Sequence, residues 1–207
     1  MKYDLTNGLG DEFVYAASGK VAYRADFWRE ADGVSNDFPV PPEGWDNYQY
    51  VSAVLREPVS LPARLAIETR FDSFGAPLIV LAEGLTTLSD GKLQYATHYE
   101  AVLYEGGINL WKIEPQAEGG QKVTALCKAR LPFPANVWTR LELEADAQGL
   151  TARAGDLVAR AECPLPPRLF AGFTACEGIN HFRLFETHAG RCPDPTAIAL
   201  APRILRA

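Results

Sequence analysis

The sequence predicts an all-β protein, an antiparallel two-sheet β-sandwich, and three observations carry that prediction. Apolar and polar residues alternate strictly through long segments, as half-buried strands require. About ten strand-like stretches follow one another at short, regular spacing. Glycine- and aspartate-rich turns separate them, and helical periodicity is almost absent. The 207 residues suit one such domain, because all-β sandwiches often reach ~200–250 residues.

Residues 48–55 read as an early strand. Residues 63–72 alternate throughout, with Leu65, Ile67, Thr69 and Phe71 on one face and Arg64, Glu68, Arg70 and Asp72 on the other. Residues 76–82 contain the unbroken apolar run Leu78-Ile79-Val80-Leu81, which suits a central strand covered on both faces. Strands over 95–104 and 108–114 are joined by Glu105-Gly106-Gly107, and the next, over 122–130, follows Glu118-Gly119-Gly120. Glycine supplies the positive φ of tight hairpins. Residues 137–145 alternate again, with Leu141 and Leu143 inward and Arg140, Glu142 and Glu144 in a solvated row. Strands over 150–153, 157–163, 169–174 and 179–186 complete the set. Residues 26–45, which include Pro39, Pro41 and Pro42, are too proline-rich for a ladder and read as a long loop. The expected organisation is one sandwich over 1–187 and a tail over 188–207 packed on it.

An apolar content of 47% excludes a disordered chain. No stretch approaches the ~20 apolar residues of a membrane-spanning helix. A net charge of −6 argues against a nucleic-acid partner, which needs a basic footprint. The opening Met-Lys-Tyr-Asp-Leu-Thr-Asn-Gly lacks an apolar signal-like region. The expectation is therefore a cytoplasmic location with Cys127, Cys163, Cys176 and Cys192 all reduced. Cys176, His181, His188 and Cys192 offer zinc-type donors, but no pair has the tight spacing of a structural zinc site, so zinc is rejected. Calcium needs clustered oxygens. Asp32, Asn36 and Asp37, or Asp46 and Asn47, offer some without any loop grammar, and no cofactor or metal is expected.

Three segments are more specific. They are 99–112 (Tyr-Glu-Ala-Val-Leu-Tyr-Glu-Gly-Gly-Ile-Asn-Leu-Trp-Lys), 136–143 (Asn-Val-Trp-Thr-Arg-Leu-Glu-Leu), and Ala171-Gly-Phe-Thr with Ile179-Asn-His-Phe-Arg-Leu. Their order and spacing resemble the concanavalin A-like lectin/glucanase superfamily, in its laminin G-like branch. The resemblance covers the C-terminal half and implies a jelly roll of two antiparallel sheets, one concave. It also implies a concave face that binds or cleaves glycans.

Glucanases of that superfamily carry Glu-x-Asp-x-x-Glu on one strand, and no such run exists here. Glu68 and Asp72 would lie about 13 Å apart at ~3.3 Å per residue, too far for either glycosidase geometry. His98 and Glu100 are a better pair: two apart on one strand, they share a face, with Tyr104 farther along it. Such a pair can carry acid–base chemistry, or it can be a structural hydrogen-bonded pair. The lyase patterns of similar folds are incomplete, and no Gly-x-Ser-x-Gly elbow is present.

Sugar recognition needs flat aromatic rings beside amides or carboxylates. Asn109 and Trp111 share a face after the Gly106-Gly107 turn, and the loop carrying Trp45, Asn47, Tyr48 and Tyr50 offers the same mix. Because a tight hairpin makes neighbours of the two strands, the expected ligand site is the face bearing His98, Glu100, Tyr104, Asn109 and Trp111, rimmed by Trp45, Asn47 and Tyr48. Trp138 is assigned to structure. The expected function is a lectin-like module binding a carbohydrate. The alternative is a glycan-active hydrolase or lyase using His98 and Glu100.

Overall fold

The computed structural model describes residues 1–18, 27–37, 50–89, 91–117 and 120–190. Its strands are β1 (Lys2–Asp4), β2 (Phe13–Tyr15), β3 (Trp28–Glu30), β4 (Gly33–Ser35), β5 (Val51–Leu55), β6 (Val59–Ser60), β7 (Ala63–Gly75), β8 (Leu78–Ala82) and β9 (Leu85–Thr87). They continue with β10 (Leu93–Tyr95), β11 (His98–Tyr104), β12 (Gly107–Pro115), β13 (Gln121–Arg130), β14 (Thr139–Ala145), β15 (Gly149–Ala154), β16 (Leu157–Glu162), β17 (Arg168–Ala175) and β18 (Gly178–His188). Among the described residues the one helical turn is a 3-10 turn at Leu5–Asn7.

Two antiparallel sheets form the sandwich. The first has the order β16-β15-β14-β7-β18-β4-β3, with β1 also on β18, and the second β13-β12-β11-β8-β17-β5-β2, with β6 also on β17. Alternation aims one face of each sheet into a shared core. Leu65, Ile67 and Phe71 of β7 are buried, as are Leu141 and Leu143 of β14 and Ala101, Leu103, Ile108 and Leu110 of the β11–β12 hairpin. Phe13, Phe173 and Phe185 meet at ring centroid separations of 5.5–6.0 Å at its centre, where offset and edge contacts are favourable.

The second sheet also carries a smaller apolar cluster on its outer face. Val80, Ala82 and Val102 lie there under Ala16, Leu93 and Tyr95. The cover is the β9–β10 hairpin together with residues 16–18, tied by Ala17 N–H to Leu93 O at 2.9 Å and Tyr95 N–H to Ala17 O at 2.9 Å. Covered from both sides, every residue of β8 is buried, as its continuous apolar run requires.

Two expectations need correction. The 26–45 segment is not all loop, because β3 and β4 form a hairpin within it. Gly33 makes that hairpin possible: its φ is +153°, and a Cβ there would sit 2.1 Å from the Phe182 carbonyl oxygen. The strand expected over 95–104 is two strands. Ala96 N–H bonds the Gly84 carbonyl and the Ala96 carbonyl bonds the His98 ring, which turns the chain out of the ladder between β10 and β11. Of the expected tail, residues 191–207 lie outside the described residues.

The outer face of the first sheet is a lattice of ion pairs. Glu142 accepts from Arg64 at 2.7 Å and from Arg140 at 2.9 Å, and Glu186 accepts from Lys2 at 2.8 Å and also from Arg140. Trp138 packs on this face between the guanidinium groups of Arg70 and Arg183, 5.5 and 4.5 Å from its ring centroid.

Candidate glycan-binding groove

The β11–β12 register sets Glu100 opposite Trp111, Val102 opposite Asn109 and His98 opposite Ile113. Directly opposed residues share a face. Since Ile108 and Leu110 fill the core, Asn109 and Trp111 point outward with His98, Glu100 and Tyr104. The hairpin therefore brings these five side chains to one outer face. A groove of about 620 Å³ runs along it, lined by Glu100, Tyr104, Asn109 and Trp111, with Tyr50 and Gln121 among its other walls.

Glu100 lies in its floor, 7% exposed. The Tyr50 hydroxyl donates to its Oε1 at 3.0 Å. Burial, reinforced by the neighbouring carboxylate, pushes the Tyr50 phenol well above its ordinary value, so it remains a donor. Cys176 lines the same groove, and burial pushes its thiol upward too.

His98 is fully buried and sits beneath the groove rather than in it. Its Nδ1 lies 2.9 Å from the Ala96 carbonyl oxygen. A carbonyl only accepts, so Nδ1 carries the proton. Its Nε2, 3.0 Å from Ser18 Oγ, accepts from that hydroxyl, whose oxygen accepts in turn from Gln121 Nε2 at 3.0 Å. The imidazole is also 3.6 Å from Glu100 Oε1. Its contacts with the groove run through Ser18 and Glu100, both of which line it. Nearby, Ser52 links the hydroxyls of Tyr95 and Thr174 and completes a satisfied polar layer under the cover.

Asn109 Oδ1 is buried without a hydrogen-bond partner among the described residues. Trp111 beside it is half-buried, with the Lys128 ammonium 5.0 Å from its ring centroid. On the next row Arg130 donates to the Tyr104 hydroxyl and lies 5.5 Å from that ring. Tyr50 came from the sequence only as part of the aromatic loop, and Ser18, Gln121, Lys128 and Arg130 were missed. For the last two a signal existed. They alternate on the strand over 121–130, so they share the face that looks across at Asn109.

Trp45, Asn47 and Tyr48, with Asp46 of the calcium alternative, lie outside the described residues. In the other calcium cluster Asn36 is committed elsewhere: it donates to the Gly178 carbonyl and accepts from Asn180 N–H, each at 2.8 Å. Of the residues with zinc-type donors, three are described. His181 is held between Glu30 at 2.8 Å and Asp72 at 3.0 Å, Cys176 is in the groove, and Cys192 is outside the described residues. A second groove of about 570 Å³, on the first sheet, is walled partly by Arg64 and Glu144, which already make ion pairs.

No family model matches the chain, and no curated protein matches it in sequence. Solved structures match its fold. The carbohydrate-binding module CBM66 from Bacillus subtilis superposes with a TM-score of 0.59 at 13% identity, over 86% of this chain and 96% of that one. A protein of unknown function with a galectin-like fold from Bacillus subtilis gives 0.59 at 9% identity, over 91% and 94%. The Crh5 transglycosylase in complex with NAG gives 0.58 at 9% identity, over 95% and 85%. At these identities the likeness is one of fold, and the chain is an antiparallel β-sandwich of jelly-roll type.

Proposed function

We propose that this chain binds a glycan in the groove over β11 and β12. One observation carries the reading: Asn109 Oδ1, buried and unpartnered among the described residues, lies beside the half-buried ring of Trp111. A buried acceptor without a donor costs free energy until something supplies one, and a sugar hydroxyl does so while its apolar face packs on the indole. The fold shared with a carbohydrate-binding module supports the same reading. Trp45, Asn47 and Tyr48 belong to the proposal as rim residues, because Tyr50, two residues on, lines the groove. Titration against a panel of oligosaccharides tests it. At least one glycan binds, and Trp111→Ala and Asn109→Ala each weaken that binding by tenfold or more (about 1.4 kcal/mol) with an unchanged circular dichroism spectrum. Failure of every glycan to bind overturns the proposal.

A glycan-active enzyme is the second reading. It is favoured by the presence of two carboxylates, Glu100 and Glu177, along the groove, since glycoside hydrolysis uses a carboxylate pair. Product formation that is lost in Glu100→Gln would establish it over simple binding.

A further inference from the structure

We propose that the glycan is anionic, a uronate or a sulfated sugar, with its negative group held by Lys128 and Arg130 at the β13 edge of the groove; this rests on the groove being the glycan site. The ladder sets Lys128 opposite Asn109 and Arg130 opposite Gly107, so both cations stand on the outer face beside the unpartnered amide. Neither makes an ion pair among the described residues, whereas Lys2, Arg64, Lys112, Lys122, Arg140, Arg153 and Arg183 all do. In a chain of net charge −6, two uncompensated cations side by side make a local field of the opposite sign.

Each cation is also coupled to a ring that a sugar would use. The Lys128 ammonium is 5.0 Å from the Trp111 centroid and the Arg130 guanidinium 5.5 Å from that of Tyr104. A neutral sugar stacking on Trp111 displaces the ammonium from the π face and gives it nothing in return. A carboxylate or sulfate on the same sugar receives that ammonium, and the planar guanidinium adds a forked contact. Glu100 and Glu177 also line the groove. The ligand's charge therefore belongs on the Lys128–Arg130 side, and its neutral hydroxyls on the Asn109–Glu100 side.

Calorimetric titration with matched probes decides this. Oligogalacturonate is compared with its methyl ester, and a sulfated carrageenan oligosaccharide with its desulfated counterpart; the two arms separate a carboxylate source from a sulfate source. In at least one arm the anionic member binds roughly tenfold or more tighter, and the advantage shrinks as salt rises. Lys128→Gln/Arg130→Gln removes the advantage but keeps the residual, Trp111-dependent binding, and Arg130→Gln alone serves if the double variant does not fold. Equal or tighter binding of the neutral members, or an advantage that survives in the variants, overturns the charge assignment and leaves the glycan reading standing. Absence of binding by all four probes and by the wider oligosaccharide panel overturns both.

Discussion

Tyr50 donates its phenolic hydrogen to Glu100 Oε1 over 3.0 Å, so a residue just before β5 satisfies a carboxylate on β11, with β17 and β8 between them in the same sheet. Both groups are largely withdrawn from water, and burial keeps the phenol protonated by pushing its pKa up. Tyr50→Phe leaves that carboxylate oxygen without its donor. The expected cost is about 1–3 kcal/mol of unfolding free energy, measured by urea denaturation. Combined with Glu100→Gln, the change should be non-additive by at least ~0.5 kcal/mol, as contacting residues generally are. Strict additivity would mean the hydrogen bond carries no weight.

The chain of donors from Gln121 through Ser18 to His98 predicts a tautomer as well as an energy. Side-chain nitrogen NMR should find the His98 proton on Nδ1, because the Ala96 carbonyl fixes it there. Ser18→Ala removes the donor to Nε2 and should cost about 1–2 kcal/mol. A proton found on Nε2 instead would make Ser18 Oγ accept from His98 as well as from Gln121.

These two networks mark where sequence reading ends. The alternation of β7 and β14 and the apolar run of β8 announce themselves locally, because each residue's neighbours two positions away share its environment. The common face of Glu100, Asn109 and Trp111 follows from a short hairpin, which is also local. The burial of His98 does not. Its cover, Ser18, lies 80 residues away, and nothing in the pattern of β11 distinguishes a covered outer face from an open one. Strands β1 to β4 are not legible in the sequence for a related reason. Each is three residues long, too short to display a period; β1 and β4 are held by pairing to the distant β18 and β2 by pairing to β5, and β3 is carried by its hairpin to β4.

Glu186 gives the fold an acid limit. Hydrogen bonds from Lys2 and then Arg140 hold its carboxyl down to about 2. The folded form thus releases this proton more readily than the unfolded chain does, and the unfolded chain binds more protons as pH falls. The stabilisation is complete above the ordinary carboxylate range and is lost as pH drops toward the folded value. Unfolding free energy should fall between roughly pH 5 and 2, and Glu186→Gln should flatten that slope. An unchanged slope in the variant would assign the acid limit to other carboxylates.

Cys176 should be slow to alkylate in the native protein. Burial pushes its thiol upward, and the thiolate is the reactive form. Iodoacetamide at pH ~8 should modify Cys176 far more slowly than an unfolded control, as read by mass spectrometry of the labelled peptides. Titration of the denatured, unreduced chain should count all 4 cysteines as thiols; Cys127, Cys163 and Cys176 are free in the structure. Rapid native labelling of Cys176 would mean that its part of the groove opens.

The two faces of the sandwich each present a tryptophan, and substituting them separately locates the ligand. Trp138 is stacked on the first sheet between Arg70 and Arg183, and Arg183 is further fixed by Glu68 at 2.6 Å. Its ring is already occupied on that face, so its contribution is to packing. Trp138→Ala should cost about 1–3 kcal/mol through two cation–π contacts and lost apolar burial, with glycan affinity unchanged. Trp111 is the converse. Among the described residues it has one cation near its ring, stands beside an amide oxygen with no partner, and packs on the smaller cluster of the second sheet. Trp111→Ala should therefore cost less stability than Trp138→Ala yet remove most of the binding. The comparison needs only thermal denaturation and one titration per variant. If Trp138→Ala remains folded and loses the ligand while Trp111→Ala retains it, the glycan sits on the outer face of the first sheet. The unsatisfied Asn109 would then need a different explanation.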